Sequence, residues 1–115
     1  MEQAIKYAGQ GKVVVMHGQS TTVHQDQPAL LQQDFEFTLG AYLITAGNST
    51  FFSYSTGRWY LDGYQWHAEY ERALGEPLGP AVRGEGPEKN VWTREFANGL
   101  QVTVNTLKGT AELNW

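Results

Sequence analysis

Carboxylates beside a dense run of aromatic rings are the side chains in this sequence with the clearest chemical potential. Asp62, Glu69 and Glu71 lie in or just beyond Asn48 to Tyr70, NSTFFSYSTGRWYLDGYQWHAEY, a stretch holding eight of the fifteen aromatic residues. Paired carboxyl groups in unlike surroundings do general acid and base work, and rings with a few convergent polar groups are typical of concave ligand sites. Tyr54, Trp59, Tyr60, Tyr64 and Trp66 are the rings that could form such a platform. Each residue also has a plainer role. Asp62 precedes Gly63, an ordinary turn pair. Glu69 and Glu71, two apart on a helix, point to different sides, so at most one faces a given site. Phe51, Phe52 and Trp66 suit a core better than a surface, whereas Trp59 and Tyr60, in a loop, are open to either role.

His17 and Gln19 follow a strand-like run and are the best polar ligand contacts outside the aromatic stretch. Metal binding is not indicated, because His17, His24 and His67 lack the close spacing of a helical ligand pair and share no obvious acidic ligand. The sequence has no Gly-x-Ser-x-Gly nucleophile elbow and no glycine-rich phosphate loop. With no cysteine, thiolate chemistry and disulfides are excluded. No cofactor is implied.

The formal net charge of −4, with no basic stripe, argues against nucleic acid as a partner. The start, MEQAIKYAGQGK, lacks the apolar core of a signal peptide, and no apolar run approaches the roughly 20 residues that span a bilayer. The chain as given therefore reads as cytoplasmic, with no membrane partner. Its 115 residues fit one domain with a sizeable core.

The elements that position these residues follow from periodicity. Glu2 to Ala8 reads as the last turns of a helix stopped by Gly9 or Gly11. Lys12 to Met16, KVVVM, reads as a strand covered on both faces, with His17, Gly18 and Gln19 at its carboxyl end. After a polar loop, Asp26 can cap a helix with Pro28 in its first turn, running to about Ala46. Leu31, Phe35, Leu39 and Tyr42 form one apolar row and Leu30, Phe37, Ala41 and Ile44 a second, a face wide enough for more than one neighbour. Thr50 to Ser55 is the next strand, and strand, helix, strand in this order predicts a crossover with two parallel strands. A short helix is expected over Tyr64 to Leu74, ended by Gly75, and Gly79 to Lys89 reads as a mobile connector. Beyond it, Val91 to Phe96 and Leu100 to Asn105 flank Asn98-Gly99, the strongest short-range hairpin signal because both residues tolerate positive φ. Thr110 to Leu113 is a candidate third strand. Arg94 and Glu95 are expected to be structural, with a cross-strand ion pair for Glu95.

Two stretches carry a family resemblance: EYERALGEPLG at Glu69 to Gly79 and VWTREFANGLQVTVN at Val91 to Asn105. They resemble the carboxyl-terminal end of glycoside-hydrolase-like (β/α)8 barrels, through Leu74, Gly75, Pro77 and Gly79, then Arg94, Glu95, Phe96, Asn98, Gly99, Val102, Val104 and Asn105. The resemblance implies that Lys12 to Met16 and Thr50 to Ser55 are barrel strands seven and eight. The expected fold class is α/β, a partial (β/α) barrel fragment with two parallel strands and helices, followed by a carboxyl-terminal antiparallel β-hairpin. Residues 1–115 form a single domain, with the barrel unit at 1–79, the connector at 80–90 and the antiparallel extension at 91–115.

The function the resemblance implies is action on, or binding of, carbohydrate or another small molecule. Hydrolysis of a glycosidic bond would need two carboxyl groups about 5 to 10 Å apart, for which Glu69 and Asp62 are the candidates. His17, Gln19, Tyr54, Trp59, Tyr60 and Tyr64 are the candidate substrate contacts. Two parallel strands leave open edges beside apolar faces, so the chain is expected to associate with itself and to complete its site in a homo-oligomer. The alternative is a structural or small-molecule-binding module that keeps the fold without the chemistry.

Overall fold

The computed structural model describes residues 1–19, 27–47, 50–55 and 67–115. Helix α1 (Glu2–Gly9) leads into strand β1 (Val14–Gln19), helix α2 (Pro28–Thr45) and strand β2 (Thr50–Ser55). Strands β1 and β2 pair in parallel from Val14↔Thr50 to Gln19↔Ser55, as a strand, helix, strand unit requires. Four further strands, β3 (Val82–Arg83), β4 (Val91–Glu95), β5 (Gln101–Asn105) and β6 (Thr110–Asn114), form an antiparallel sheet in sequence order. The fold is thus mixed α/β, with a two-stranded parallel sheet and a four-stranded antiparallel sheet.

Helix α2 joins the two sheets, because its wide apolar face meets both of them. Phe35, Leu39, Leu43 and Ile44 are buried with Tyr54 of β2 on one side and Trp92, Val102 and Val104 of the antiparallel sheet on the other. The helix comes close enough to require glycine twice. A Cβ on Gly40 would sit 2.8 Å from the Ala111 Cβ and 2.9 Å from a Val104 methyl, and one on Gly18 of β1 would sit 2.7 Å from the Thr38 Cβ.

The antiparallel sheet exceeds the expected hairpin. Its β4–β5 turn spans Ala97 to Gly99, where the Phe96 N–H donates to the Leu100 carbonyl (2.9 Å) and the Gly99 N–H to the Phe96 carbonyl (3.1 Å). Gly99 has φ 94°, while no non-glycine residue among those described has positive φ. Asn98 therefore does not use the left-handed region that the Asn-Gly pair allows; a three-residue loop with one left-handed glycine suffices. The β5–β6 turn is held by Asn105, whose Oδ1 accepts from the backbone N–H groups of Leu107 and Lys108 at 3.0 Å each.

Three expectations shift for tertiary reasons. Strand β1 begins and ends later than the run Lys12 to Met16, because pairing with β2 decides its bounds and brings His17, Gly18 and Gln19 into the strand. The stretch read as a mobile connector contains β3, whose Val82 and Arg83 pair with Thr93 and Trp92, and a 3₁₀ turn at Gly86–Glu88. Arg83 also pairs with Glu2 of α1 and lies 5.3 Å from the Trp92 ring. The helix expected from Tyr64 to Leu74 is, over the described part, a 3₁₀ turn at Ala68–Glu71, with Arg72 already extended at φ −76°, ψ 131°. The chain extends there because the next residues bond to the hairpin turn. The Ala97 N–H donates to the Glu76 carbonyl (2.8 Å), and the Leu78 N–H to the Glu95 carbonyl (2.9 Å). Asp26, the expected cap, lies outside the described residues; α2 starts at Pro28 with Gln27 preceding it.

Candidate functional site

Alternation along β1 and β2 divides their side chains between a face on α2 and an open face. Gly18 abuts Thr38 of α2, and Phe52 and Tyr54 contact Phe35 of the same helix. Val15, His17 and Gln19 are exposed on the opposite face, in register with Phe51, Ser53 and Ser55. Coverage on both faces, expected from the β-branched run, is not seen among the described residues: Val15 is 67% and Phe51 56% exposed. On this open face, near the carboxyl ends of both strands, His17 Nδ1 and Ser53 Oγ share a 2.7 Å hydrogen bond. In parallel sheets that end is where loops and ligands meet. Ser53 was not singled out by the sequence, although its offset from His17 follows once the parallel register is known.

Tyr54 belongs to the other face. It is only 6% exposed and packs edge-on to Phe35, with ring centroids 5.2 Å apart. It is a core ring rather than a platform for a ligand. His67 lies parallel to Phe35 at 3.7 Å and 9°, and edge-on to Tyr54 and Tyr70. Its Nε2 is buried and has no hydrogen-bond partner among the described residues. Burial lowers the His67 pKa from its ordinary value, and the Glu69 carboxylate partly opposes that shift.

Glu69 stands at the rim of a cavity of about 340 Å³ between α2, β2 and the segment after the 3₁₀ turn. Tyr42, Phe51, Phe52, Tyr70 and Trp115 contribute its rings, and Arg72 its cationic group. The guanidinium of Arg72 lies 5.1 Å from the Trp115 ring centroid. Gln32 of α2 fixes the carboxylate: its Nε2 donates to Glu69 Oε1 at 3.3 Å and to Glu36 Oε1 at 3.2 Å. Among the described residues Glu69 is the one carboxylate in the cavity lining. Glu71 is exposed and not part of that lining, as its offset of two positions leads one to expect. Asp62, Trp59, Tyr60 and Tyr64 lie outside the described residues, so the structure brings Glu69 together with rings that were not candidates for binding. No group of three or more His, Cys, Asp or Glu that could hold a metal occurs among the described residues.

The stretches that carried the resemblance meet in space. Asn98 Nδ2 donates to the Ala73 carbonyl at 3.2 Å, and Pro77 forms an isolated bridge with Phe96. Arg94, read as structural, has a specific task that its neighbours in sequence do not reveal. Its Nη1 donates to the carbonyls of Leu43 (3.0 Å), Ile44 (3.2 Å) and Ala46 (2.8 Å), and its Nε to that of Gly79 (3.2 Å). It thereby closes the carboxyl end of α2, where backbone carbonyls lack helical partners and the dipole favours a cation. Burial lowers the Arg94 pKa from its usual value. Glu95 faces Gln101 across the strands, so the expected cross-strand ion pair is not formed with that neighbour.

A family model for hypothetical glycosyl hydrolase family 15 matches residues 1–100. The chain belongs to this family. The match takes in both strands of the parallel sheet, α2, the 3₁₀ turn and Arg94, so the open face lies wholly within hypothetical glycosyl hydrolase family 15, and of the cavity rings only Trp115 falls beyond the match. No curated protein matches the chain. Within the described residues no helix is long and apolar enough to cross a membrane.

Proposed function

We propose that this chain binds carbohydrate on the open face of its parallel sheet, as part of a glycoside-hydrolase-like (β/α) unit. The observation that carries this reading is the His17–Ser53 pair, exposed beside Val15 and Phe51 near the carboxyl ends of both strands in a member of a glycosyl hydrolase family. An imidazole and a hydroxyl suit the hydroxyl groups of a sugar, and adjoining apolar side chains suit its C–H faces. Gln19, exposed on the same strand, adds an amide that can both donate and accept. Further β/α units supplied by sister chains would complete the concavity. Hydrolysis, on this reading, uses Glu69, whose cavity adjoins the open face at Phe51, together with Asp62, since acid and base must come from separate carboxyl groups.

The test is a titration with neutral oligosaccharides, followed through the amide signals of Val15 to Gln19 and of Ser53, none of which lines the cavity beside α2. Saturable shifts confined to those residues, and lost in His17→Ala and Ser53→Ala, are expected. Shifts elsewhere only, or shifts that survive both substitutions, would refute the assignment. A second reading, a non-catalytic structural module, is favoured by the same exposed Val15 and Phe51, which suit a covered interface. It predicts that no sugar shifts those signals.

A further inference from the structure

The cavity beside α2 adjoins the open face at Phe51, which lines it, but differs from that face in chemistry and does not include His17 or Ser53. Its inner wall is apolar, from Leu39 and Leu43, and its rings are Tyr42, Phe51, Phe52, Tyr70 and Trp115. Its volume of about 340 Å³ accommodates a single six-membered ring with substituents. Two opposite charges stand at its rim, and neither has an ion-pair partner among the described residues. Glu69 is held through Oε1 by Gln32, which leaves Oε2 free of protein partners among those residues. Arg72, exposed, lies over the Trp115 ring at 5.1 Å. A guanidinium held over an aromatic face at this distance keeps N–H groups that the ring does not use, a fork that matches a carboxylate.

We infer that this cavity is a binding site for one pyranose ring bearing a carboxylate, a uronic acid unit. The ring carboxylate pairs with the Arg72 fork, the apolar face of the sugar lies against the aromatic wall, and its hydroxyls donate to Glu69. A neutral hexose would leave the Arg72 fork without its anionic partner, whereas a planar aromatic acid would fill the ring space but leave Glu69 with no donor to accept from. The choice of a sugar over other ring acids rests on the carbohydrate reading above; the location of the site does not.

The experiment uses the full chain and isotope-labelled protein titrated in parallel with glucuronate, glucose and phenylacetate. The readouts are the Trp115 indole N–H and the Tyr70 amide, with the indole signal assigned through Trp115→Phe. Glucuronate is expected to shift both signals saturably, while the signals of His17 and Ser53 stay in place. Glucose should bind at least about tenfold more weakly, the scale of one lost charge-assisted pair. Arg72 is exposed, so Arg72→Gln should fold normally, and it should bring glucuronate down to the level of glucose. Equal binding of glucose and glucuronate, or unchanged binding in Arg72→Gln, would overturn the carboxylate contact. Tighter binding of phenylacetate than of glucuronate would overturn the sugar assignment, and no shift at Trp115 with any of the three would overturn the site. Because the open face is read at His17 and Ser53, its failure and the failure of this site are distinguished in the same spectra.

Discussion

Arg94 gives the sharpest test of how this fold is held together. Arg94→Met keeps the apolar stem beside Phe96, whose ring lies 5.6 Å from the guanidinium, but removes the donors from the carbonyls of Leu43, Ile44 and Ala46. A hydrogen bond to a charged group contributes about 1.5 to 3 kcal/mol. Those three carbonyls share one nitrogen with two protons, so two such bonds are lost there, and the Nε bond to the Gly79 carbonyl, lost as well, is exposed and adds little. Arg94 is half-buried, and water replaces part of what is lost, which brings the expected cost to about 2 to 4 kcal/mol. For a domain of this size that corresponds to a fall in Tm of about 8 to 16 °C. Arg94→Lys keeps the cation at the helix end but lacks the fork, and should lose about half as much. Denaturant unfolding of the two variants beside the parent, with the m-value checked for constancy, measures the difference. A loss below about 0.5 kcal/mol in Arg94→Met, within the range of an ordinary surface substitution, would mean that water serves these carbonyls equally well and that the arginine does not fasten α2 to the antiparallel sheet.

Gly40→Ala should destabilise the chain despite the better helix propensity of alanine, worth about 1 kcal/mol, because overpacking against Ala111 and Val104 costs about 1 to 3 kcal/mol; a gain in denaturation midpoint would refute the close approach. Phe35→Ala empties the centre of the aromatic cluster at a side chain that is 0% exposed, for a cost of about 3 to 5 kcal/mol by the same measurement. The lowered folded-state pKa of His67 means that the unfolded chain binds its proton first as pH falls, so this group's contribution is present above its unfolded value of 6.5 and is lost as pH falls through the folded value. Midpoints measured between pH 7.5 and 5 should therefore fall more steeply in the parent than in His67→Phe, and parallel curves would remove His67 as the cause. Light scattering at two protein concentrations should give a mass above that of one 12.9 kDa chain, since Val15, Phe51 and the strand edges need covering; a monodisperse monomer at micromolar concentration would defeat self-association.

Local chemistry alone determined a good part of this protein. The two apolar rows from Leu30 to Ile44 specify α2 and its contact with two neighbours, because helical periodicity is written in consecutive residues. Strand, helix, strand order specifies the parallel pair β1–β2, and Asn98-Gly99 marks the hairpin, because each rests on backbone preferences that act over a few residues. Placement of Glu69 beside aromatic rings was also legible, and among the described residues those rings are Tyr42, Phe51, Phe52, Tyr70 and Trp115. What only the tertiary structure decided depends on partners far along the chain. Tyr54 was drawn into the core by Phe35, His17 was joined to Ser53 by the parallel register, and Arg94 was turned from its strand neighbours to the end of a helix about fifty residues earlier. Periodicity shows which face of an element is apolar, but a hydrogen bond between distant residues arises only once both elements are packed, and nothing in either segment alone specifies its geometry.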